Sequence, residues 1–572
     1  LVIRLLMSTA LAATLSFAIG APQAMAQSVS GAYLAGRQAA SQRDFGRASQ
    51  YFVKALVRDR NNPELMEGAT LSFLSLGQIE RAVPIAKAIE QAGLRSQTGS
   101  IVLIADMVMH EDYDSVIARD GEGGGIGPLV DSLVSAWARL GQGKAAAAFE
   151  EFDEVAKQPG MAGFAIYHKA MAYAVVGDFD SADKLFSDEE AGAASSTRRG
   201  AMARAEVLSQ LDRNADAITW LNLAFGDAID PELSKLIVAL EAGETVPFTH
   251  ANSAKDGVAE VFYSLAKALR GEAGAGYTLL YGRAAYALRP DHIDALLLNA
   301  ALLEELGQFD LAIEAYKKVP ADHAASHAAE LGRAAALRRA GKPDASIEVL
   351  EQLARRFPDM SLVHSTLGDV LREQEAFDEA VASYGKALEL TPDGVRGRWF
   401  VLYARAIVHE RLDNWELAEA DFRAALALNP EQPQVLNYLG YSMVEKQVNL
   451  DEALNMIERA AAARPDSGFI VDSLGWVLFR IGRYSEAVVH METAVALMPV
   501  DPVVNDHLGD VYWSVGRTRE AEFQWSRALS FVDPTDADGE ADPDRIRRKL
   551  EIGLDAVLVE EGANPLKVAN ED

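Results

Sequence analysis

Hydrophobic and polar positions alternate with a helical period along most of the chain. In DSLGWVLFRIGRYSEAVVHMETAVALMP (472–499), Leu474, Val477, Leu478 and Ile481 recur at steps of three and four. That spacing predicts one amphipathic helix. Gly482 and Arg483 end it, because glycine readily adopts the left-handed conformation that closes helices. A second helix carries Ala487, Met491, Ala494 and Leu497 on one face and stops before Pro499. Gly475, inside the first helix, costs about 1 kcal/mol relative to alanine. Its expected return is a close approach of the paired helix, with Ala487 and Ala494 on the facing side.

The pattern is copied. Gly475 and Gly509 stand 34 positions apart, as do Ala487 and Ala521, and Pro465 and Pro499. A period of this length indicates a helix–turn–helix repeat. The same frame holds Gly368, Phe377, Ala380, Tyr384, Ala387 and Pro392. It recurs at Trp415, Ala418, Phe422, Ala425 and Pro430, and at Gly307, Phe309, Ala312 and Tyr316, where it ends early at Pro320. Gly36, Phe45, Ala48, Phe52 and Ala55 fit it near the start, and Gly77 with Ala82 opens another copy. Copies at Gly141–Ala147 and Gly177–Phe186 are recognisable, and one at Ala217–Ala224 is weaker.

Leu-Gly in the first helix, Gly-x-Tyr/Phe at the turn, then Ala, an aromatic or apolar residue, Ala and Pro resemble the tetratricopeptide repeat. The resemblance implies an all-α, right-handed superhelical solenoid of about a dozen stacked helix pairs. The expected organisation is a leader at 1–26, repeats at 27–96, an irregular or degenerate helical region at 97–256, a regular array at 257–534, and an acidic linker with a capping helix at 535–572. GEGGGIG (121–127) and AGETVPFTHANSAKDG are read as breaks in the irregular region. The capping helix, from about Pro543 to Glu560, carries Ile546, Leu550, Leu554 and Val557 as its apolar stripe; a terminal repeat needs such a cover.

Composition narrows the function. The chain has 572 residues, 84 acidic against 54 basic side chains and a net charge of −30. Such a surface repels phosphate backbones and anionic lipid headgroups, which argues against nucleic acid and membrane-surface partners. There is no cysteine, which excludes disulfides, thiolate metal sites, cysteine nucleophiles and lipid attachment through an N-terminal cysteine. In the first 26 residues Arg4 is the only charge, an apolar stretch runs from Leu5 to Ile19, and small residues end at Ala24 and Ala26. This is the pattern of a cleavable secretion signal, with Gln27 as first mature residue and the periplasm as destination. Stable membrane insertion after cleavage is not expected.

Catalytic patterns fail on their details. GEGGGIG lacks the Gly-Lys-Ser/Thr ending of a phosphate loop. Ser264 and Lys267 spell Ser-x-x-Lys without the companion motifs of a serine acyl-enzyme site. His323 and His327 have metal-like spacing but no third ligand in sight, and HEDYD (110–114) lacks calcium-loop spacing. No enzyme, cofactor or metal is expected; a hydrolase or transferase would have to lie hidden in 97–256.

The resemblance implies a concave face lined by each pair's first helix, and there one stripe is not needed for packing. It holds Tyr403, Ile407 and Glu410; Asn437, Tyr441 and Val444; Asp472, Trp476 and Phe479; and Asp506, Asp510 and Trp513. Steps of four and three put each triplet on one helix face. Tyr403, Asn437, Tyr441, Asp472, Trp476, Phe479, Asp506, Asp510 and Trp513 therefore form a candidate aromatic and acidic groove for a basic or apolar extended segment. In the competing reading, Trp476, Phe479 and Trp513 fill the space between repeats. Some eukaryotic members clamp a terminal carboxylate with lysines and asparagines; here Asn437 is present, but aspartates stand where cations are needed. The C-terminal repeats are also similar to bacterial cell-envelope tetratricopeptide proteins, among them a lipoprotein adaptor of a carboxyl-terminal processing protease. That similarity implies a scaffold or adaptor, with an architectural role in envelope assembly as the alternative.

Overall fold

The computed structural model describes residues 29–121, 125–187, 197–226, 230–533 and 541–563. The leader expected at 1–26 lies outside them, as do 122–124 of the glycine-rich stretch and 534–540 of the linker. The described residues form 31 helices and no strand. None of these helices is long and apolar enough to cross a membrane. The chain divides into two compact units, one ending at Leu353 and the other beginning at Ala354.

The second unit is a run of helix pairs: Ser361–Glu373 with Phe377–Leu390, Arg398–Arg411 with Trp415–Leu428, Pro433–Glu445 with Leu450–Ala463, Gly468–Arg480 with Tyr484–Leu497, and Pro502–Ser514 with Thr518–Phe531. Helices Pro543–Ile552 and Leu554–Glu560 follow, the first packing on Thr518–Phe531. The expected close approach at Gly475 is present: a Cβ there would stand 2.3 Å from Met491 Sδ. The turn after that helix places Gly482 at φ +86°.

The first unit begins as the same kind of stack. Its pairs are Val29–Ser41 with Phe45–Leu56, Pro63–Ser75 with Ile79–Gln91, Gln97–Met109 with Tyr113–Gly121, Pro128–Gly141 with Ala145–Ala156, Ala162–Val175 with Phe179–Phe186, and Arg198–Gln210 with Asn214–Phe225. A single helix, Pro231–Glu241, and an extended stretch lead to the pair Ala254–Leu269 and Ala275–Leu288. This pair does not continue the stack. Ala254–Leu269 packs on Pro128–Gly141 and Ala162–Val175, and Ala275–Leu288 packs on Pro63–Ser75 and Gln97–Met109. The hairpin thus covers the first helices of four successive pairs, the face that an open solenoid presents to solvent.

Buried bonds fix it there. Gly257 lets the hairpin backbone reach the fully buried Trp137, whose indole would meet an added Cβ at 2.1 Å. Tyr167 Oη donates to Glu260 Oε1 at 2.8 Å, and Arg199 Nε donates to Glu260 Oε2 at 2.8 Å. Arg283 Nε donates to the Ser75 carbonyl at 2.9 Å, while burial pulls its guanidinium pKa down to about 10. The segment expected to open the regular array therefore serves as the filling of the preceding repeats.

Candidate partner-binding groove

The stripe read from the sequence changes character along the second unit. Tyr403 is half-buried, edge-on to Tyr438 with ring centroids 6.1 Å apart. Asn437 and Tyr441 on the next first helix are also half-buried. Asn437 Oδ1 accepts no hydrogen bond among the described residues. Trp476 is half-buried; its indole Nε1 donates to Glu445 Oε1 at 2.9 Å.

Beyond Trp476 the groove is occupied from within. Phe479 is buried, stacked against Trp476 at 5.0 Å. Asp472 is buried and bonded to His507 Nδ1 at 3.0 Å. Asp506 and Asp510 are buried under helix Pro543–Ile552, where Lys549 Nζ donates to them at 2.6 and 2.7 Å. Trp525 Nε1 also donates to Asp510, at 2.8 Å. Trp513 is half-buried and donates to Asp555 Oδ2 at 2.9 Å, its ring against Gly553.

The acidic half of the expected groove is thus neutralised inside the chain. An aspartate in such a surrounding is a structural charge, since its cation arrives from another helix and not from a partner. Burial, with Asp510 alongside, pushes the Asp506 carboxyl above its usual range against the pull of Lys549. Burial lowers the His507 pKa, but Asp472, Asp506 and Asp510 outweigh it and leave it raised.

Three exposed side chains extend the open part of the stripe: Leu362, Phe400 and Phe469, at 59%, 50% and 64% exposure. Phe400 and Phe469 each stand three residues ahead of a stripe position, Tyr403 and Asp472, hence on the same face one turn earlier; Leu362 stands 18 positions ahead of Ala380, as Phe400 does of Ala418. Extending the triplets backward by that step would have found Phe400 and Phe469.

The residues whose spacing imitates catalytic motifs have structural partners. Trp137 Nε1 donates to His168 Nδ1 at 3.3 Å, which leaves the His168 proton on Nε2, facing Ser264 Oγ at 3.1 Å. Burial pulls the His168 pKa down to about 4, with Glu260 opposing. An imidazole that donates to the hydroxyl does not deprotonate it, and Ser264 in turn donates to the Val261 carbonyl. Lys267 is exposed. His323 Nδ1 accepts from the Ala325 amide, and His327 Nδ1 faces the Ala324 carbonyl. No group of three or more metal-ligating side chains occurs among the described residues.

The fold is that of an all-α protein of stacked helix pairs. Its pairs are tetratricopeptide repeats where family descriptions match, at residues 331–395 and 399–432. The chain is 26% identical over 160 residues to a TPR repeat-containing protein of Pseudomonas aeruginosa, covering 28% of this chain and 26% of that one. It is 36% identical over 100 residues to the tetratricopeptide repeat protein 36 homolog of Drosophila melanogaster, covering 17% of this chain and 52% of that one. The match therefore spans about a quarter of the first relative's length and half of the second's. Among solved structures, the chain aligns with the Cut9–Hcn1 assembly of APC/C over 91% of its length and 96% of that chain, at 14% identity and a TM-score of 0.38. It aligns with yeast Tom70 over 92% and 95%, at 15% identity and a TM-score of 0.34.

Proposed function

We propose that the protein is a non-enzymatic scaffold or adaptor whose partner surface is the first-helix face of the second unit, from Ser361–Glu373 to Gly468–Arg480. One observation carries this reading: Leu362, Phe400 and Phe469 stand exposed on a face that also offers Tyr403, Asn437, Tyr441 and Trp476. Exposed aromatic anchors beside polar groups are what protein-recognition hot spots use. Tetratricopeptide repeats generally mediate protein–protein contacts, which supports the class of ligand. The occupant is an extended, apolar or basic segment; Glu410 supplies negative charge at the rim, whereas Glu445 is already paired with Arg480 at 2.9 Å, and the last repeat is excluded because Lys549 already fills it.

The leader-like first 26 residues support export, so the partners are envelope proteins. A carboxyl-terminal processing protease and its clients are the specific candidates, on the similarity of the C-terminal repeats to an adaptor of such a protease. Quantitative affinity capture tests the surface. The full chain is compared with Phe400→Ser/Phe469→Ser, exposed positions whose loss leaves folding intact. Loss of the captured set, including the protease, supports the assignment; an unchanged set removes it. Asp472→Lys is the wrong probe, because it buries a second cation beside His507.

A further inference from the structure

In three of the four triplets the stripe residues stand 15, 11 and 8 positions ahead of the alanine of the paired helix, as Tyr403, Ile407 and Glu410 do relative to Ala418; Asn437, Tyr441 and Val444 stand one position further from Ala453, across a turn one residue longer. In the first unit, the same offsets from Ala217 give Met202, Glu206 and Ser209 on helix Arg198–Gln210. There the positions are in use. The extended stretch after helix Pro231–Glu241 runs along them, with Val246 and Phe248 half-buried, His250 buried, and Thr245, Pro247 and Thr249 exposed. That alternation is the period of an extended chain lying on a surface.

Side chains of the repeat read the main chain of this stretch. Ser209 Oγ accepts from the Val246 amide at 2.9 Å, and Gln210 Nε2 donates to the Val246 carbonyl at 2.6 Å. Glu206 Oε2 accepts from the Thr249 amide at 2.8 Å. Arg289 donates to the carbonyls of Thr249 and His250 at 2.9 and 2.6 Å, and Arg199 donates to that of His250 at 3.1 Å. Asn214 Nδ2 donates to the Glu244 carbonyl at 2.9 Å. Among the described residues, no main-chain group of 245–250 bonds another main chain. Two side chains of the stretch are also recognised, both by Glu206: Thr249 Oγ1 at 2.8 Å and His250 Nδ1 at 2.8 Å.

This is how a receptor holds a peptide, not how a loop supports itself. We propose that the inner face of helix Arg198–Gln210 is a polypeptide-binding site held shut by the chain's own residues 244–250. In their place it admits an extended segment of another protein that presents a hydroxyl residue followed by histidine, with apolar side chains at alternate positions before them. The proposal rests on the same register as the proposed groove of the second unit, but its experiment addresses the first unit alone, so the two can fail separately. Covalent attachment gives the resident segment an effective concentration on the order of millimolar. A free peptide at micromolar concentration therefore does not enter the intact protein.

The test uses a fluorescent synthetic peptide of the chain's own sequence, GETVPFTHANS, and fluorescence anisotropy. Three full-length proteins are compared: the unaltered chain, a chain with residues 244–250 all glycine or serine, and a chain with Thr249→Gly/His250→Gly. Both altered chains are expected to bind the peptide at least tenfold more tightly than the unaltered one. Adding Glu206→Gln to either removes at least tenfold of that gain, and a peptide with glycine in place of its Thr-His binds no altered chain. Altered chains that keep native helix content and show no gain overturn the proposal. So does failure of both to fold, since a displaceable occupant is dispensable to the fold.

Discussion

Trp476 lies flat on His507, ring centroids 3.9 Å apart and planes 14° from parallel, and the same imidazole is bonded to Asp472 at 3.0 Å. The most prominent aromatic of the expected groove therefore sits on a titratable cation. His507 has its pKa raised in the folded state, where burial opposes and Asp472, Asp506 and Asp510 prevail. A raised pKa means that the charged form stabilises the fold. The contribution is complete below the ordinary histidine pKa and is lost as pH rises through the raised value. Thermal melting of the full chain and of His507→Gln is expected to differ most at about pH 5.5 and least at about pH 9. The difference at the acid end should be about 1.5–3 kcal/mol, the range for a hydrogen bond to a charged group. A constant difference across that range removes the imidazolium from the account.

Lys549 has a fully buried side chain and is held by Asp506 and Asp510. Removing the cation leaves buried Asp506 without its ammonium and Asp510 with only Arg545, 3.7 Å away, and the Trp525 indole, at a cost of about 3–5 kcal/mol. Lys549→Met is expected to raise amide hydrogen exchange across 502–531, and Lys549→Met/Asp506→Asn/Asp510→Asn to restore most of the protection. Equal protection in the single variant and the unaltered chain contradicts this.

Two helical glycines predict opposite signs. A Cβ at Gly509 would stand 2.3 Å from Trp525 Nε1, on a buried ring, whereas at Gly385 the nearest atom is Arg405 Nη1 at 3.8 Å. Gly509→Ala is expected to destabilise by about 1–3 kcal/mol through overpacking. Gly385→Ala is expected to stabilise by about 0.5–1 kcal/mol through helix propensity. Urea denaturation of the two variants decides both.

Glu260 is the buried counter-charge that fastens the hairpin to the first unit. Burial raises its pKa, but Arg199 and His292 hold it well below the usual carboxylate value. A depressed pKa stabilises above the unfolded value and is lost as pH falls through the folded one. The first unit should loosen in acid, and Glu260→Gln should loosen it at neutral pH, leaving Arg199 under-compensated at a cost of about 3 kcal/mol or more. Hydrogen exchange across 254–288 rises in both cases if Glu260 is the fastening; protection equal to that of the unaltered chain removes it from that role.

Much of the helix pairing is legible in the sequence because it is local. Gly475, Ala487 and Pro499 sit within one repeat, and their spacing alone predicts two helices meeting closely. What covers a helix face is another matter. Lys549 reaches Asp510 across 39 residues, and Tyr167 reaches Glu260 across 93. Periodicity places Asp506, Asp510 and Glu206 on the inner stripe but is blind to a cation or a strand-like segment arriving from so far along the chain. An acidic stripe and a buried ion-pair seat read identically until their partner is located. AGETVPFTHANSAKDG reads as a break because its polar, proline-containing composition suits solvent; its main chain instead finds its hydrogen bonds on side chains of the neighbouring repeat and on Arg289, just past the hairpin.

The seat of Lys549 has a bearing on how many repeats the chain contains. Only Pro502–Ser514 offers carboxylates at both inner positions; the preceding first helices offer Asp472 with Trp476, Asn437 with Tyr441, and Tyr403 with Ile407. A terminal helix carrying a buried ammonium has one address in this array. Repeats could be duplicated or lost upstream without confusing it, but a copy added after Thr518–Phe531 would have to bring its own pair of aspartates to seat that helix.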